Sequence, residues 1–175
     1  VVDRALSLLK AAGVEARTVI FGTVMFEEAR RRLGVKHRDE MRHLPVDVQR
    51  ELQVHAAQAI AEMKDGFLFI DTHLFISTPE GYWPGLPMAV LTALKPTHLI
   101  LVVAEPHEIL ARRVKDKSRV RETPGEDQIR EELLLAKTLL GVCSVISGAP
   151  LLVVENREGR VEEAARRIVD ALGVV

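Results

Sequence analysis

Three short runs, GFLFID (66–71), HLILVVA (98–104) and PLLVVE (150–155), constrain the fold more than any other feature of the chain. Each is almost continuously apolar, without the polar alternation of a strand that faces water on one side. Strand-length runs of this kind belong in a parallel sheet covered on both faces. VEARTVIF (14–21), rich in β-branched residues, reads as a further strand. Helical patterns separate the strands: VVDRALSLLKAAG, stopped by Gly13; VMFEEARRRLG, with Thr23 as its cap and Gly34 as its stop; and a long helix from Pro45 to Lys64. LPMAVLTAL, PHEILARRVKD, GEDQIREELLLAKTLLGVCSVIS and RVEEAARRIVDAL follow the same period. Strand and helix therefore alternate along most of the chain, which predicts an α/β fold built on a doubly wound parallel sheet.

A length of 175 residues fits one domain, 1–175, with room for a sizeable core and small lids. Two segments interrupt the alternation, at 36–64 and 115–127, and both are rich in arginine and lysine. Their place in the order predicts excursions over the carboxyl edge of the sheet, where open α/β folds bind ligands. The chain as a whole is not basic: 24 Lys and Arg face 25 Asp and Glu, for a formal net charge of −1. Bulk attraction to nucleic acid or to an anionic membrane is thus not expected, and any anion site must be built locally. A single cysteine, Cys143, rules out an internal disulfide framework and fits a reducing cytoplasm. No apolar run reaches membrane-spanning length and the first residues lack a signal-peptide pattern, so a cytoplasmic protein is expected.

The chemistry-bearing residues cluster by segment. Arg38 and Arg42 are four apart in HRDEMR, so an α-helical turn would put both on one face, aimed at one anion. The competing reading is a solvated face in which they pair with Asp39 and Glu40. RRVKDKSRVRE carries Arg112, Arg113, Arg119 and Arg121 around a short polar turn, read either as a closing lid or as a basic surface loop. Asp71 ends the FLFID strand, where a carboxylate either holds magnesium through its water shell or caps a turn. PEGYWPGLP, with the only Trp and only Tyr of the chain, reads as a stiffened polar loop. Thr72 and His73 beside Asp71 either support the same site or are structural, and the other five histidines show no metal-ligand spacing.

Taken together, FGTVMFEEARRRLGVKHRDEMRHLP, FIDTHLFISTPEGYWPGLP and RRVKDKSRVRE, in this order, resemble the archaeal adenylate kinases, a branch of the P-loop nucleoside monophosphate kinases. The resemblance covers essentially the whole chain, and RDEMR and the DTH…TP.GY.PGLP pattern are its most specific parts. It implies a P-loop α/β core with a small helical nucleoside-monophosphate-binding excursion over 23–64 and a short lid over 115–127. It implies an enzyme that reversibly transfers a phosphoryl group between ATP and AMP, giving two ADP, with Mg2+, and a homotrimer. By the same resemblance Thr23, Arg38, Arg42, Gly85, Leu86 and Pro87 bind AMP, and Arg112 or Arg113 with Asn156 borders the ATP adenine. Arg119 and Arg121, with Arg113, act on the transferring phosphate, and Asp71 holds the magnesium through water. Tyr82 and Trp83 wall the base pocket or lie at a subunit contact.

One departure from the family pattern matters. That pattern begins with a strand and a glycine-rich loop ending in Gly-Lys-Ser/Thr, and residues 1–175 contain no G-x-x-x-x-G-K-[ST]. The family's first strand is central, so its loss would split the sheet and expose two apolar edges. This predicts about fifteen to twenty further residues upstream of Val1, one strand and one loop. Activity is expected on that condition. The alternatives are a nucleotide-binding or structural module without catalysis, and a monophosphate kinase for another base.

Overall fold

The structure, a computed structural model, describes residues 1–63, 66–78, 80–115 and 125–174. In chain order its elements are α1 (Val2–Ala11), β1 (Ala16–Ile20), α2 (Phe21–Leu33), a 3₁₀ helix (Arg38–His43), α3 (Val46–Ala61), β2 (Phe67–Asp71), β3 (Phe75–Thr78) and β4 (Gly81–Pro84), followed by α4 (Met88–Leu94), β5 (Leu99–Val103), α5 (Pro106–Lys115), α6 (Glu126–Ser147), β6 (Leu151–Glu155) and α7 (Val161–Leu172). They form two compact units, Val14–Pro96 and Val1–Gly13 with Thr97–Val175.

In the unit Val14–Pro96, β1 and β2 run parallel, in register from Ala16 opposite Phe67 to Ile20 opposite Asp71. One face of this pair carries Val19, Leu68 and Ile70 into a core with Phe21, Ala56, Ala57, Ile60 and Val90. Ala56 and Ala57 are fully buried, and their small side chains let α3 pack closely on that core. A second cluster of Ala29, Val35, Met41 and Leu52 joins α2, the 3₁₀ helix and α3. The unit also contains the antiparallel hairpin β3–β4.

The other unit has its own parallel pair, β5 and β6, in register from Leu99 opposite Leu151 to Val103 opposite Glu155. α6 packs on both strands, α7 on β6, and α1 on α7. Leu9, Ile129, Val154 and Ile168 are its largest fully buried side chains. Burial pushes the Cys143 thiol up from its ordinary value, which keeps it protonated and unreactive. Among the described residues no helix is long and apolar enough to cross a membrane.

The α/β alternation and the parallel pairing of the apolar runs agree with expectation. Local differences bear on function. α2 begins at Phe21, directly after β1, so Thr23 lies inside its first turn and is not its cap. Pro45 precedes α3 as its N-cap, and the helix ends at Ala61; the expected end, Lys64, lies outside the described residues. Part of the expected polar loop PEGYWPGLP, Gly81–Pro84, is instead a strand that pairs with Phe75–Thr78 in a hairpin, because FIST and GYWP are rich enough in β-formers.

β1 and β2 are set in register by a tight entry at Gly66. Its φ of +53° is a left-handed conformation, and a Cβ there would collide with the Glu15 carbonyl. The neighbouring Phe67 N–H donates to that same carbonyl at 2.9 Å. Gly66→Ala is therefore expected to lower stability by roughly 1–3 kcal/mol. Denaturant titration of the two proteins checks this, and an unchanged midpoint contradicts it.

Candidate functional site

The first group of candidate residues surrounds the junction of β1 and α2. No residue intervenes between Ile20, the last of the strand, and Phe21, the first of the helix. Ile20, the N-cap, has an extended backbone and its side chain makes no capping bond. Among the described residues the opening N–H groups of α2 have no capping side chain, and with the helix dipole they present positive potential at the carboxyl end of β1. The guanidinium of Arg38 lies directly over Gly22; a Cβ on that residue would occupy the space of its Nη2. Backbone donors and a guanidinium thus converge on one small volume, the arrangement that holds a phosphate.

Arg38 reaches Gly22 because the segment is a 3₁₀ helix. With about three residues per turn, positions i and i+3 eclipse. Arg38 therefore shares a side with Met41, which is buried against Ala29, Val35 and Leu52 and anchors the segment. Arg42 is turned away from Arg38 by about 120° in this geometry. The expectation that both project from one α-helical face is corrected accordingly. The solvated-pair alternative is not seen either. Glu40 instead accepts the His37 N–H at 2.9 Å and closes a capping box, and among the described residues neither Arg38 nor Arg42 is within ion-pair distance of a carboxylate.

Asp71 ends β2 directly opposite Ile20, beside the strand end from which α2 departs, and its side chain is exposed. Among the described residues no three His, Cys, Asp or Glu side chains form a cluster able to hold a metal. A single accessible carboxylate suits Mg2+, which keeps most of its waters and shares the rest of its shell with phosphates.

The hairpin explains the placement of the aromatic residues. Tyr82 meets the Phe75 ring edge-on across the two strands, centroids 4.9 Å apart, and Trp83 stands opposite Ile76. Gly85 closes the base, its N–H donating to the Leu74 carbonyl at 2.8 Å. It packs so tightly on the His73 carbonyl that a Cβ has no room. The Leu86 side chain packs on the core of its unit. Pro87 has no N–H, and its carbonyl accepts from Val90 and Leu91 at 2.9 and 3.1 Å. Among the described residues this leaves the Gly85 carbonyl and both main-chain groups of Leu86 unpaired.

The second group lies in the other unit, at the carboxyl end of β6. Arg112 donates to the Asn156 carbonyl at 2.9 Å, and the Asn156 N–H donates to the Val103 carbonyl at 2.7 Å. Arg113 is paired with Glu132 of α6 at 3.3 Å. Of the two adjacent arginines, the structure brings Arg112, not Arg113, together with Asn156. Arg119, Arg121 and most of the lid segment lie outside the described residues.

Two residues of these groups were not singled out from sequence. Gly22 carried no signal beyond its place after a strand. Glu108 did carry one, since Glu105-Pro106-His107-Glu108 places Pro and Glu as in the first turn of a capped helix. Its carboxylate accepts main-chain N–H groups from Glu158 at 2.7 Å and Glu105 at 3.2 Å. Those bonds, led by the one from Glu158, hold its pKa below the ordinary carboxyl value.

Comparison with known proteins bears on what this geometry serves. A family model described as an AAA domain matches residues 7–130. The adenylate kinase of Methanocaldococcus jannaschii is 39% identical over 173 residues, covering 98% of this chain and 90% of that protein. The adenylate kinases of Pyrococcus horikoshii and Methanopyrus kandleri are both 41% identical, over 94% and 88% of this chain and 85% and 82% of theirs. Identity at this level along nearly the whole chain, on an α/β fold with parallel strand pairs, shows that the chain belongs to the adenylate kinase family.

Proposed function

We propose that this protein catalyses ATP + AMP = 2 ADP, with the β1–α2 junction holding the phosphate of AMP. The observation that carries this reading is the convergence of the uncapped start of α2 and the Arg38 guanidinium over Gly22. An oxygen of the AMP phosphate attacks the terminal phosphorus of ATP. The bond from that phosphorus to its bridging oxygen breaks, and both products are ADP. Phosphoryl transfer of this kind needs alignment, charge neutralisation and exclusion of water more than covalent help.

Each candidate residue has a part in that scheme. Arg38 and the amides around Gly22 and Thr23 fix the attacking phosphate, and Arg42, on another side of the 3₁₀ helix, acts from its edge. The Gly85 carbonyl and the main chain of Leu86 offer neutral groups to the base, with Pro87 stiffening the turn. Arg112 lies against the ATP adenine as a cation over a π face, beside Asn156. Arg119 and Arg121 bear on the transferring phosphoryl, while Arg113, held by Glu132, contributes from farther off. Asp71 holds Mg2+ through water, and the ion when bound supplies positive charge to the phosphate oxygens. The family's Gly-Lys-Ser/Thr loop is not among residues 1–175, and the phosphates of ATP call for it. We propose a cytoplasmic homotrimer, on the resemblance to the archaeal enzymes and the single buried cysteine.

A coupled assay of the full-length protein is expected to show ADP formation from ATP and AMP, abolished by chelating the magnesium. Phosphorylation of CMP or UMP without AMP overturns the choice of substrate. Arg38→Ala is expected to raise the KM for AMP about 10- to 100-fold, the loss of one charge-assisted bond, with a smaller effect for Arg42→Ala. Gly22→Ala displaces the guanidinium without removing it. Its KM for AMP is expected to rise several-fold with Tm nearly unchanged, whereas a rise in the KM for ATP alone contradicts the phosphate assignment. Arg119→Ala or Arg121→Ala is expected to lower kcat more than AMP affinity, as steady-state kinetics at saturating ATP measure.

A further inference from the structure

Glu108 is only 11% exposed at its side chain and joins three separate groups. It accepts the Glu105 N–H at the start of α5 and the Glu158 N–H in the turn after β6, and Arg112 of the next turn of α5 lies 3.8 Å away. Arg112 in turn donates to the Asn156 carbonyl at 2.9 Å. α5 is therefore tied twice to one short turn, once by an acceptor and once by a donor, with the two tying side chains themselves one helical turn apart. Such a ring restricts both the turn and the guanidinium more than either bond alone. We propose that Glu108 is a positioning residue for the ATP base: it fixes the Asn156–Glu158 turn against α5 and holds Arg112 in the orientation in which it meets the adenine. This rests on the assignment of Arg112 and Asn156 to ATP made above. Glu108 itself touches no substrate.

The test compares Glu108→Gln, Arg112→Ala and the double variant in the full-length protein, each with KM for ATP, KM for AMP, kcat and Tm. Glutamine keeps the size but replaces one acceptor oxygen by a donor and removes the charge that attracts Arg112. Glu108→Gln is expected to raise the KM for ATP about fivefold, with the KM for AMP and kcat within twofold, a split that a general loss of stability does not produce. In the Arg112→Ala background the same change is expected to add little, since the ring is already open. If Arg112→Ala raises the KM for ATP and Glu108→Gln leaves it unchanged, or shifts both KM values equally, or yields no folded protein, the positioning role is overturned and the ATP assignment stands. If Arg112→Ala itself leaves the KM for ATP unchanged, the ATP assignment fails and this inference with it.

Discussion

β1 passes into α2 with no residue between them, and the candidate phosphate site depends on that junction. A strand that turned through a loop would leave room for a capping side chain, which would occupy the first N–H groups of the helix. Here Ile20 provides none, so those donors face outward at the strand end where Asp71 stands alongside. Gly22 adds the second condition, since only a residue without a Cβ lets a guanidinium come so close to the helix backbone. The core beneath holds the junction still: Phe21, Val24 and Met25 pack inward with Val19 and Ile60, so the first turn of α2 is fixed on its inner side. Rigidity on that side and open donors on the other are what a preorganised anion site requires.

The arginines are sorted by their partners more than by their number. Arg31 and Arg32 both bind Glu28 and depress its pKa, and Arg113 binds Glu132; these are ordinary ties along or between helices. Arg38 has no carboxylate within reach among the described residues, and Arg112 makes its closest bond to the Asn156 carbonyl, with the Glu108 carboxylate farther off at 3.8 Å. A guanidinium without a close anionic partner keeps its attraction for an incoming phosphate or ring, whereas a paired one must first lose its carboxylate. Pairing thus accounts for Arg31, Arg32 and Arg113 and leaves Arg38 open to a ligand in a chain whose net charge is close to zero.

Much of the fold was legible because its signals are strong and local. GFLFID, HLILVVA and PLLVVE are strands, and the helical periods between them are helices, with Gly34 and Gly148 as left-handed stops. HRDEMR was read at α-helical spacing and is a 3₁₀ helix, because burial of Met41 and the His37–Glu40 box select the tighter turn over a weak local preference. PEGYWPGLP was read as loop from its prolines and glycines, yet the Phe75 and Tyr82 rings meet across a hairpin and Trp83 stands opposite Ile76. In both places a contact between distant or non-adjacent residues outweighed composition.

Sequence by itself determined the strand and helix order, the parallel pairing that continuous apolar runs require, and the residue types able to bind nucleotides. Periodicity and side-chain chemistry are properties of short segments, so they can be read without coordinates. Which of two neighbouring arginines turns toward Asn156, how Arg38 comes to lie over Gly22, and the role of Glu108 between α5 and the turn after β6 were decided only by tertiary structure. Adjacent residues on a helix point about 100° apart. Whether a given side chain then meets a carboxylate, a carbonyl or open space depends on what the rest of the chain brings to that side, information that no local window contains.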